Sequence, residues 1–278
     1  MITLSALSVS SHLLPLLSED RVFNVHSVFG SSLNLEAGGR LVHIGSTRPS
    51  SVPFGIDTAS GDIGAIIRAS KNAPDVEYTA QTSQFHWPCG TVLSISNSDR
   101  YSCEIHQGNF NPANIKQALS RLSVPMKELA DKNKFGLDLV GAVLDSLTAL
   151  LLGHRSDYNA ILDFWVGRGE GLTPSGDDIL MGMLSVLFSA GMTESTVPVK
   201  EYIDTNGTKR TTAISCEYLH YALEGIFSGE IIRLMDALGH STDCSDEISQ
   251  LLAIGHTSGA DTLLGISSAL GYLVEENQ

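Results

Sequence analysis

The residues most suited to chemistry lie in one glycine-rich segment, residues 167–178, which reads Gly-Arg-Gly-Glu-Gly-Leu-Thr-Pro-Ser-Gly-Asp-Asp. Four glycines within ten residues allow the backbone to approach a ligand or a neighbouring helix closely. The proline favours an extended Thr173, so we predict Ser175 as the N-cap of a helix and Asp178 as its acidic capping-box partner. Asp177 is not needed for that cap, which makes it the stronger candidate for a functional carboxylate.

Part of this segment is repeated 83 residues later. The run Ser-Gly-Asp-Asp-Ile-Leu-Met-Gly at 175–182 aligns with Ser-Gly-Ala-Asp-Thr-Leu-Leu-Gly at 258–265, and five of the eight positions are identical. Each copy follows a glycine-containing loop and opens an apolar helix that itself contains a glycine, Gly182 or Gly265. A glycine inside a helix costs about 1 kcal/mol relative to alanine. Its presence twice at the same offset predicts two helices that pack closely through these glycines.

Two adjacent helix starts would form a shared ligand site. Backbone N–H groups at helix N-termini bind anions, and serine and threonine hydroxyls add donors. Asp177, Asp178 and Asp261 are the candidate catalytic groups. They would repel an anion unless a cation intervenes, and they suit Mg²⁺ with a phosphate or carboxylate, or the NH₂ groups of an amide or ureido ligand. The structural alternative is that acidic side chains in a first helical turn stabilise the helix dipole with no ligand bound.

The candidate ligand-binding residues surround the two copies. They are Arg168, Gly171, Thr173, Ser175, Gly176, Arg210, Thr211, Ser215, His256, Ser258 and Gly259. If the site binds an oxyanion, Arg168 or Arg210 should point into it, because the three aspartates otherwise leave it too negative. For Arg210 the alternative is a solvated helix start, and for His256 an ordinary surface histidine. No cofactor follows from the sequence: Mg²⁺ is a candidate, and no pair of histidines has metal-ligand spacing.

The elements that must position these residues differ between the two parts of the chain. Short runs rich in β-branched and aromatic residues predict a β-rich barrel or sandwich over residues 1–110, with a Gly-Gly hairpin turn at 38–39 and one helix at 62–70. Over residues 111–278 the apolar spacing becomes helical, with one long segment at 137–152. The sequence therefore predicts an α+β chain whose α-helical bundle carries both copies of the motif.

Composition excludes several classes of protein. The 278 residues are 42% apolar and 17% charged, which excludes a disordered chain, and no run approaches the ~20 apolar residues of a membrane helix. The N-terminal residues lack a basic region and a cleavage site, so we expect no secretory signal. Four scattered cysteines without a C-x-x-C pair fit a reducing cytoplasm. The net charge of −14 lies mainly in residues 140–278, where 6 Lys/Arg face 19 Asp/Glu, and it disfavours nucleic acid and anionic membranes as partners.

The first copy of the motif, Gly171 to Asp178 with Leu180 and Gly182, resembles the hallmark of the AllH family, which includes one subunit of oxamate carbamoyltransferase. The segments at 210–215 and 258–263 resemble the later motifs of that family, in the same order. The resemblance implies a β-rich first part and a helical second part. It also implies the conversion of oxalurate and phosphate to oxamate and carbamoyl phosphate in allantoin and purine-nitrogen catabolism.

The resemblance further implies a bacterial, cytoplasmic protein that handles a small anionic or ureido substrate beside partner subunits of a hetero-oligomeric complex. This chain departs from the family at Arg168 and Glu170, where the family loop is more apolar and contains proline. Two other functions stay open on the residues alone. One is a non-catalytic interaction or small-ligand-binding subunit whose glycine-rich helices form an interface. The other is a metal-dependent hydrolase built on the aspartates.

Overall fold

The structure is a computed structural model that describes residues 2–46, 51–71, 73–108, 110, 112–132, 135–136, 145, 147–148 and 157–276. The chain divides into two compact units, residues 1–103 and 104–278, which are described separately. The helix predicted at 137–152 lies almost entirely outside the described residues. The α+β class predicted from the sequence is confirmed.

The first unit is a β-barrel. Its strands are β1 (Ile2–Ser10), β2 (Arg21–Val28), β3 (Ser32–Ala37), β4 (Arg40–Ser46), β5 (Gly55–Thr58), β6 (Asp75–Thr79), β7 (Gln84–His86), β8 (Thr91–Ser94) and β9 (Asp99–Tyr101). Eight of them are neighbours in the order β5-β4-β3-β2-β6-β7-β8-β1, and β1 pairs back onto β5 to close the barrel. The ninth, β9, pairs in parallel with the last residues of β1.

Local sequence explains two features of the barrel. Gly38 and Gly39 both have positive φ, +60° and +79°, and they join β3 to β4 as the predicted hairpin. The predicted helix is present as α1 (Ile63–Lys71), which packs against strands β2, β3, β4 and β8. Side chains inside this unit form their own apolar core, including Phe23, Leu33, Leu35, Ile44 and Phe85.

The second unit is helical in its described part. Its helices are α2 (Pro112–Asp131), α3 (Tyr158–Trp165), α4 (Ser175–Ser189), α5 (Val197–Arg210), α6 (Ala213–Ala222), α7 (Gly229–Gly239), α8 (Ser245–Leu252) and α9 (Ser258–Glu276). Every residue of α4 is buried, because α9 packs along it and α6 and α7 also contact it. None of the helices in the described ranges has the length and apolar character needed to span a membrane.

The two copies of the motif form the central helix pair. A Cβ atom on Gly182 would lie 2.1 Å from the carbonyl oxygen of Thr262, and one on Gly265 would lie 2.0 Å from that of Ile179. The two contacts are equivalent in the repeat, because Gly182 corresponds to Gly265 and Ile179 corresponds to Thr262. The two helices are therefore related by an approximate two-fold axis. The prediction that these helices pack closely through their glycines is confirmed.

Candidate functional site

The site begins at the N-termini of α4 and α9, which start at Ser175 and Ser258. The prediction that Ser175 caps α4 with Asp178 as its capping-box partner is wrong. Pro174 is the N-cap residue, with no side-chain cap, and its carbonyl oxygen accepts from the N–H groups of Asp177 and Asp178 at 2.9 and 3.1 Å. The helix therefore starts one residue earlier than predicted, and the Ser175 side chain is available for contacts outside its own helix.

Each helix start contacts the carboxyl group of the other. The hydroxyl of Ser175 lies beside Asp261, and the hydroxyl of Ser258 lies beside Asp178. Thr173 joins this arrangement, since its Oγ1 is 2.9 Å from Oγ of Ser258. These pairs show that α4 and α9 run parallel with their N-terminal ends side by side. The positive ends of two helix dipoles consequently meet at one place.

Asp178 is almost fully buried, and its Oδ2 has no hydrogen-bond partner among the described residues. Burial raises its pKa to about 8, and the nearby charges of Asp261 and Asp177 add to the rise. The hydroxyls of Ser258 and Thr173 oppose the rise because they stabilise the charged form. Burial therefore favours the protonated form of this carboxyl group.

Asp261 has a similar environment. It is fully buried, and within the described ranges its Oδ2 also lacks a hydrogen-bond partner. Burial raises its pKa, while the Ser175 hydroxyl, the backbone N–H of Gly136 and the Thr257 hydroxyl act in the opposite direction. The Gly136 N–H donates to Oδ1 of Asp261 at 3.0 Å. Two buried carboxyl groups, each with one unused oxygen, therefore converge at the paired helix starts.

Asp177 differs from these two, although the sequence made it the stronger functional candidate. Its Oδ1 accepts the N–H of Gly167 at 2.8 Å, and its Oδ2 accepts the hydroxyls of Ser215, at 2.7 Å, and Thr211. Burial raises its pKa, and these three donors oppose the rise. The geometry shows that Asp177 fastens the glycine-rich loop to the start of α6, and that Thr211 and Ser215 serve this carboxylate.

The glycines of the loop and of the two helix starts mostly serve close packing. A Cβ atom would lie 1.8 Å from the Arg210 carbonyl oxygen at Gly167, 2.7 Å from the Ser175 nitrogen at Gly169, 2.1 Å from the Trp165 carbonyl oxygen at Gly176 and 2.0 Å from the Leu251 carbonyl oxygen at Gly259. Gly167 and Gly169 also have positive φ, +77° and +119°. Gly171 is the exception, since it is exposed and a Cβ there would meet no atom within 4 Å.

The two arginines are directed away from the paired carboxyl groups. Arg210 forms an ion pair with Asp163 and donates to the Tyr202 hydroxyl and the Asp163 carbonyl oxygen, both at 3.1 Å. Arg168 is exposed, and its guanidinium carbon lies 3.9 Å from the centre of the Phe164 ring. The expectation that Arg168 or Arg210 points into an oxyanion site is therefore not met, because the partners of Arg210 lie on α3 and α5 and Arg168 stacks on Phe164. His256 is exposed in the turn before α9.

Sequence reasoning missed Gly136. A Cβ atom at this position would lie 1.9 Å from Oγ of Ser175 and 2.9 Å from Oδ2 of Asp261, so its backbone covers the paired helix starts. No local pattern marks this glycine, since it is 125 residues from the aspartate that it contacts. Thr257 was missed as a site residue too, although it directly precedes the second copy of the motif.

A metal centre made of several side chains is not present in the described part of the chain, where no group of three or more His, Cys, Asp or Glu could hold an ion. An open cavity of about 670 Å³ lies elsewhere, between α3 and α5, and includes Asp157, Tyr158, Glu201 and Tyr202 in its lining. None of the motif residues lines that cavity. The paired helix starts, and not this cavity, hold the buried carboxyl groups with unpartnered oxygens.

Residues 165–270 match the family model of the oxamate carbamoyltransferase subunit AllH. The AllH match starts at the last residue of α3 and ends within α9, so it contains both copies of the motif and both buried carboxyl groups. The barrel and α2 lie outside it. The resemblance drawn from the sequence is confirmed over this segment. No solved structure matches the chain.

The AllH-matched segment presents a mixed set of polar groups. A protonated carboxyl group donates one hydrogen bond, and the second oxygen of each carboxyl group accepts. The hydroxyls of Thr173, Ser175 and Ser258 do both. Such a set can bind a small polar group at several points and can supply a proton to it.

Proposed function

We propose that this chain is an AllH-like subunit of an oxamate carbamoyltransferase and that its ligand binds at the paired starts of α4 and α9. The single observation that supports this most strongly is the convergence of Asp178 and Asp261, each with a buried and unpartnered Oδ2, inside the segment that matches AllH. Buried polar atoms are nearly always hydrogen-bonded in proteins, so two unpartnered carboxyl oxygens at one place indicate a ligand.

The proposed reaction converts oxalurate and phosphate to oxamate and carbamoyl phosphate. A phosphate oxygen forms a bond to the ureido carbonyl carbon, and the bond from that carbon to the oxamate nitrogen breaks. The hydrogenphosphate loses a proton and the departing nitrogen gains one, so atoms and charge balance. This chemistry needs donors for the oxyanion that develops on the carbonyl oxygen and an acid for the leaving nitrogen. The hydroxyls at the helix starts and a protonated Asp178 are groups of those kinds.

Asp178 and Asp261 are the proposed catalytic residues, and Asp177 is a positioning residue because its oxygens are occupied within the fold. The proposed ligand contacts are Thr173, Ser175 and Ser258. The proposal includes no resident metal, since only two carboxyl groups with unpartnered oxygens converge here among the described residues. A Mg²⁺ ion bound to phosphate could be coordinated by those two oxygens, so the experiments include Mg²⁺.

The cellular setting is also part of the proposal. We place the chain in the cytoplasm of a bacterium, in allantoin and purine-nitrogen catabolism, together with partner subunits of a hetero-oligomeric enzyme. The partner subunits matter for the test, because one subunit need not hold every group that the reaction requires.

A coupled assay tests this function directly. The full chain, alone and with candidate partner subunits, is mixed with oxalurate and phosphate, and carbamoyl phosphate and oxamate are measured. We expect phosphate-dependent cleavage with the partners present. Absence of cleavage under every combination would contradict the proposal.

A second candidate function is a non-catalytic interaction subunit. An apolar side chain within the glycine-rich loop favours it, since Leu172 is 50% exposed. The glycine-rich helices do not support this candidate. Gly182 and Gly265 pack against each other's helices within the chain, so they are not free to form an interface with a partner. The same assay with Asp178 and Asp261 replaced separates the two candidates, since an interaction subunit would tolerate both replacements.

A further inference from the structure

The paired carboxyl groups raise the question of which part of a substrate they contact. Asp178 and Asp261 are 3% and 0% exposed, and the Oδ2 atom of each is buried at the helix starts without a hydrogen-bond partner among the described residues. Both helices are long, with 15 and 19 residues, and each contributes a serine to the carboxyl group of the other. The region is thus a built polar site with reciprocal contacts.

An anionic group is a poor ligand for this pair. A phosphate or carboxylate beside this pair is repelled by the negative charge that the two carboxyl groups hold between them, because the surrounding dielectric is low. The nearest arginines in the motif segments do not offset this repulsion. Arg168 stacks on Phe164, and Arg210 is bound to Asp163. No ion pair joins Asp178 or Asp261 to a lysine or arginine in the part of the chain that the structure describes.

An uncharged amide or ureido group is complementary to the pair. It presents N–H donors and a carbonyl acceptor side by side, and a carboxylic acid next to a carboxylate presents the matching acceptors and donor. When two carboxyl groups share a site, the one with the higher pKa keeps its proton to a higher pH than the other. Burial gives Asp178 a pKa of about 8, so at neutral pH it is the group that donates.

We infer that Asp178 and Asp261 together bind the uncharged ureido group of the substrate, and that phosphate binds outside this pair. The inference rests on the proposed function and deepens it, because it names the substrate group that this site selects. It places the carboxylic acid next to the nitrogen that must gain a proton when the carbon–nitrogen bond breaks. The pair is then a site of specificity for amides and ureides over plain dicarboxylates.

Isothermal titration of the full chain with three related ligands tests the inference. Oxalate has no amide, oxamate has one, and oxalurate has a ureido group. We expect oxalurate to bind at least about tenfold more tightly than oxalate, which corresponds to about 1.4 kcal/mol, with oxamate between them. Added Mg²⁺ should leave this order unchanged, and inorganic phosphate should not displace oxalurate. This ranking uses the wild-type protein and does not depend on any variant folding.

Variants then locate the binding group. Asp261→Asn and Asp178→Ala should each weaken oxalurate binding at least about tenfold without changing the affinity for phosphate. Glu170→Gln removes an exposed negative charge from the same loop and should change neither affinity. Thermal melts establish that each variant is folded before it is titrated.

Several results would overturn the inference. They are equal affinity for oxalate and oxalurate, failure of oxalurate to bind, a requirement for Mg²⁺, or phosphate competition that strengthens in Asp261→Asn. Its failure is distinguishable from failure of the proposed function. If oxalurate binds as expected but no subunit combination cleaves it, the function fails and the inference stands. If cleavage proceeds normally in Asp261→Asn, the inference and the location of the site fail, whereas the carbamoyl-transfer activity stands.

Discussion

Adjacent aspartates at the start of α4 have different environments. Asp177 gives its oxygens to three donors from the loop and from α6, whereas Asp178 keeps one buried oxygen without a partner among the described residues. The helix turns by about 100° per residue, so neighbouring side chains face different surroundings. Asp177 therefore stabilises the fold, while Asp178 is available to a ligand.

The raised pKa of Asp178 predicts how stability depends on pH. Its pKa is about 8 in the folded protein and near the ordinary 3.8 when unfolded, so between these values the folded state binds one more proton. This contribution to stability is fully present below the unfolded pKa and is lost as the pH rises through the folded pKa. The loss is at most about 1.4 kcal/mol per pH unit. Melts of wild type and Asp178→Asn from acid to mildly alkaline pH should show a shallower decline in the variant, and parallel curves would contradict the assignment.

Replacement of Asp177 by alanine tests its structural role. The change leaves the Gly167 N–H and the buried Ser215 hydroxyl without their acceptor, so we expect a loss of about 2–4 kcal/mol in unfolding free energy. Glu170→Ala is the matched control on the exposed part of the same loop and should cost less than about 0.5 kcal/mol. Chemical denaturation measures both. Equal stabilities of the two variants would contradict the role of Asp177 in holding the glycine-rich loop to the start of α6.

At the scale of elements, the parallel pair α4 and α9 depends on two glycines. Alanine at Gly182 or Gly265 would place a methyl group against a backbone carbonyl oxygen at 2.1 or 2.0 Å. We expect either change to destabilise the protein by about 1–3 kcal/mol and to weaken ligand binding, because the helix starts must separate. Gly271→Ala in α9 meets no atom within 4 Å and should stabilise by up to about 1 kcal/mol. Melting temperatures that fail to separate Gly271→Ala from the other two would contradict this packing.

The close packing of α4 against α9 was predictable from the sequence. The N-cap of α4 and the contact of Gly136 with the helix starts were not. A glycine inside a helix lowers the stability of that helix, so its repetition at the same position indicates close helix packing. That argument needs only the sequence. The cap at Ser175 was assigned wrongly because a local rule gave the serine a partner in its own helix, while the fold gives it Asp261. Gly136 and the donors of Asp177 come from distant segments, and no local pattern encodes such contacts.

At the scale of the whole molecule, the two units have separate cores. For the first unit the sequence predicts a barrel or a sandwich and does not separate the two. The pairings of β1 with β5 and of β2 with β6 join distant segments, and the alternation of apolar and polar residues along a strand does not specify its partner. The helical unit has an apolar core of its own that includes residues of α2, α4 and α9. We therefore expect residues 104–278, produced alone, to unfold in one cooperative thermal transition. Circular dichroism measures this, and a melt without a transition would contradict independent folding of that unit.

The most direct test of the central claim is the rate of phosphate-dependent oxalurate cleavage by the complete complex, compared between wild type and Asp261→Asn. The paired helix starts are claimed to be the reacting site, so the wild-type complex should form carbamoyl phosphate. The variant should lose at least about tenfold in kcat/KM, equivalent to about 1.4 kcal/mol of transition-state stabilisation, while it remains folded. A folded Asp261→Asn complex with the wild-type rate would contradict the claim that chemistry takes place between α4 and α9.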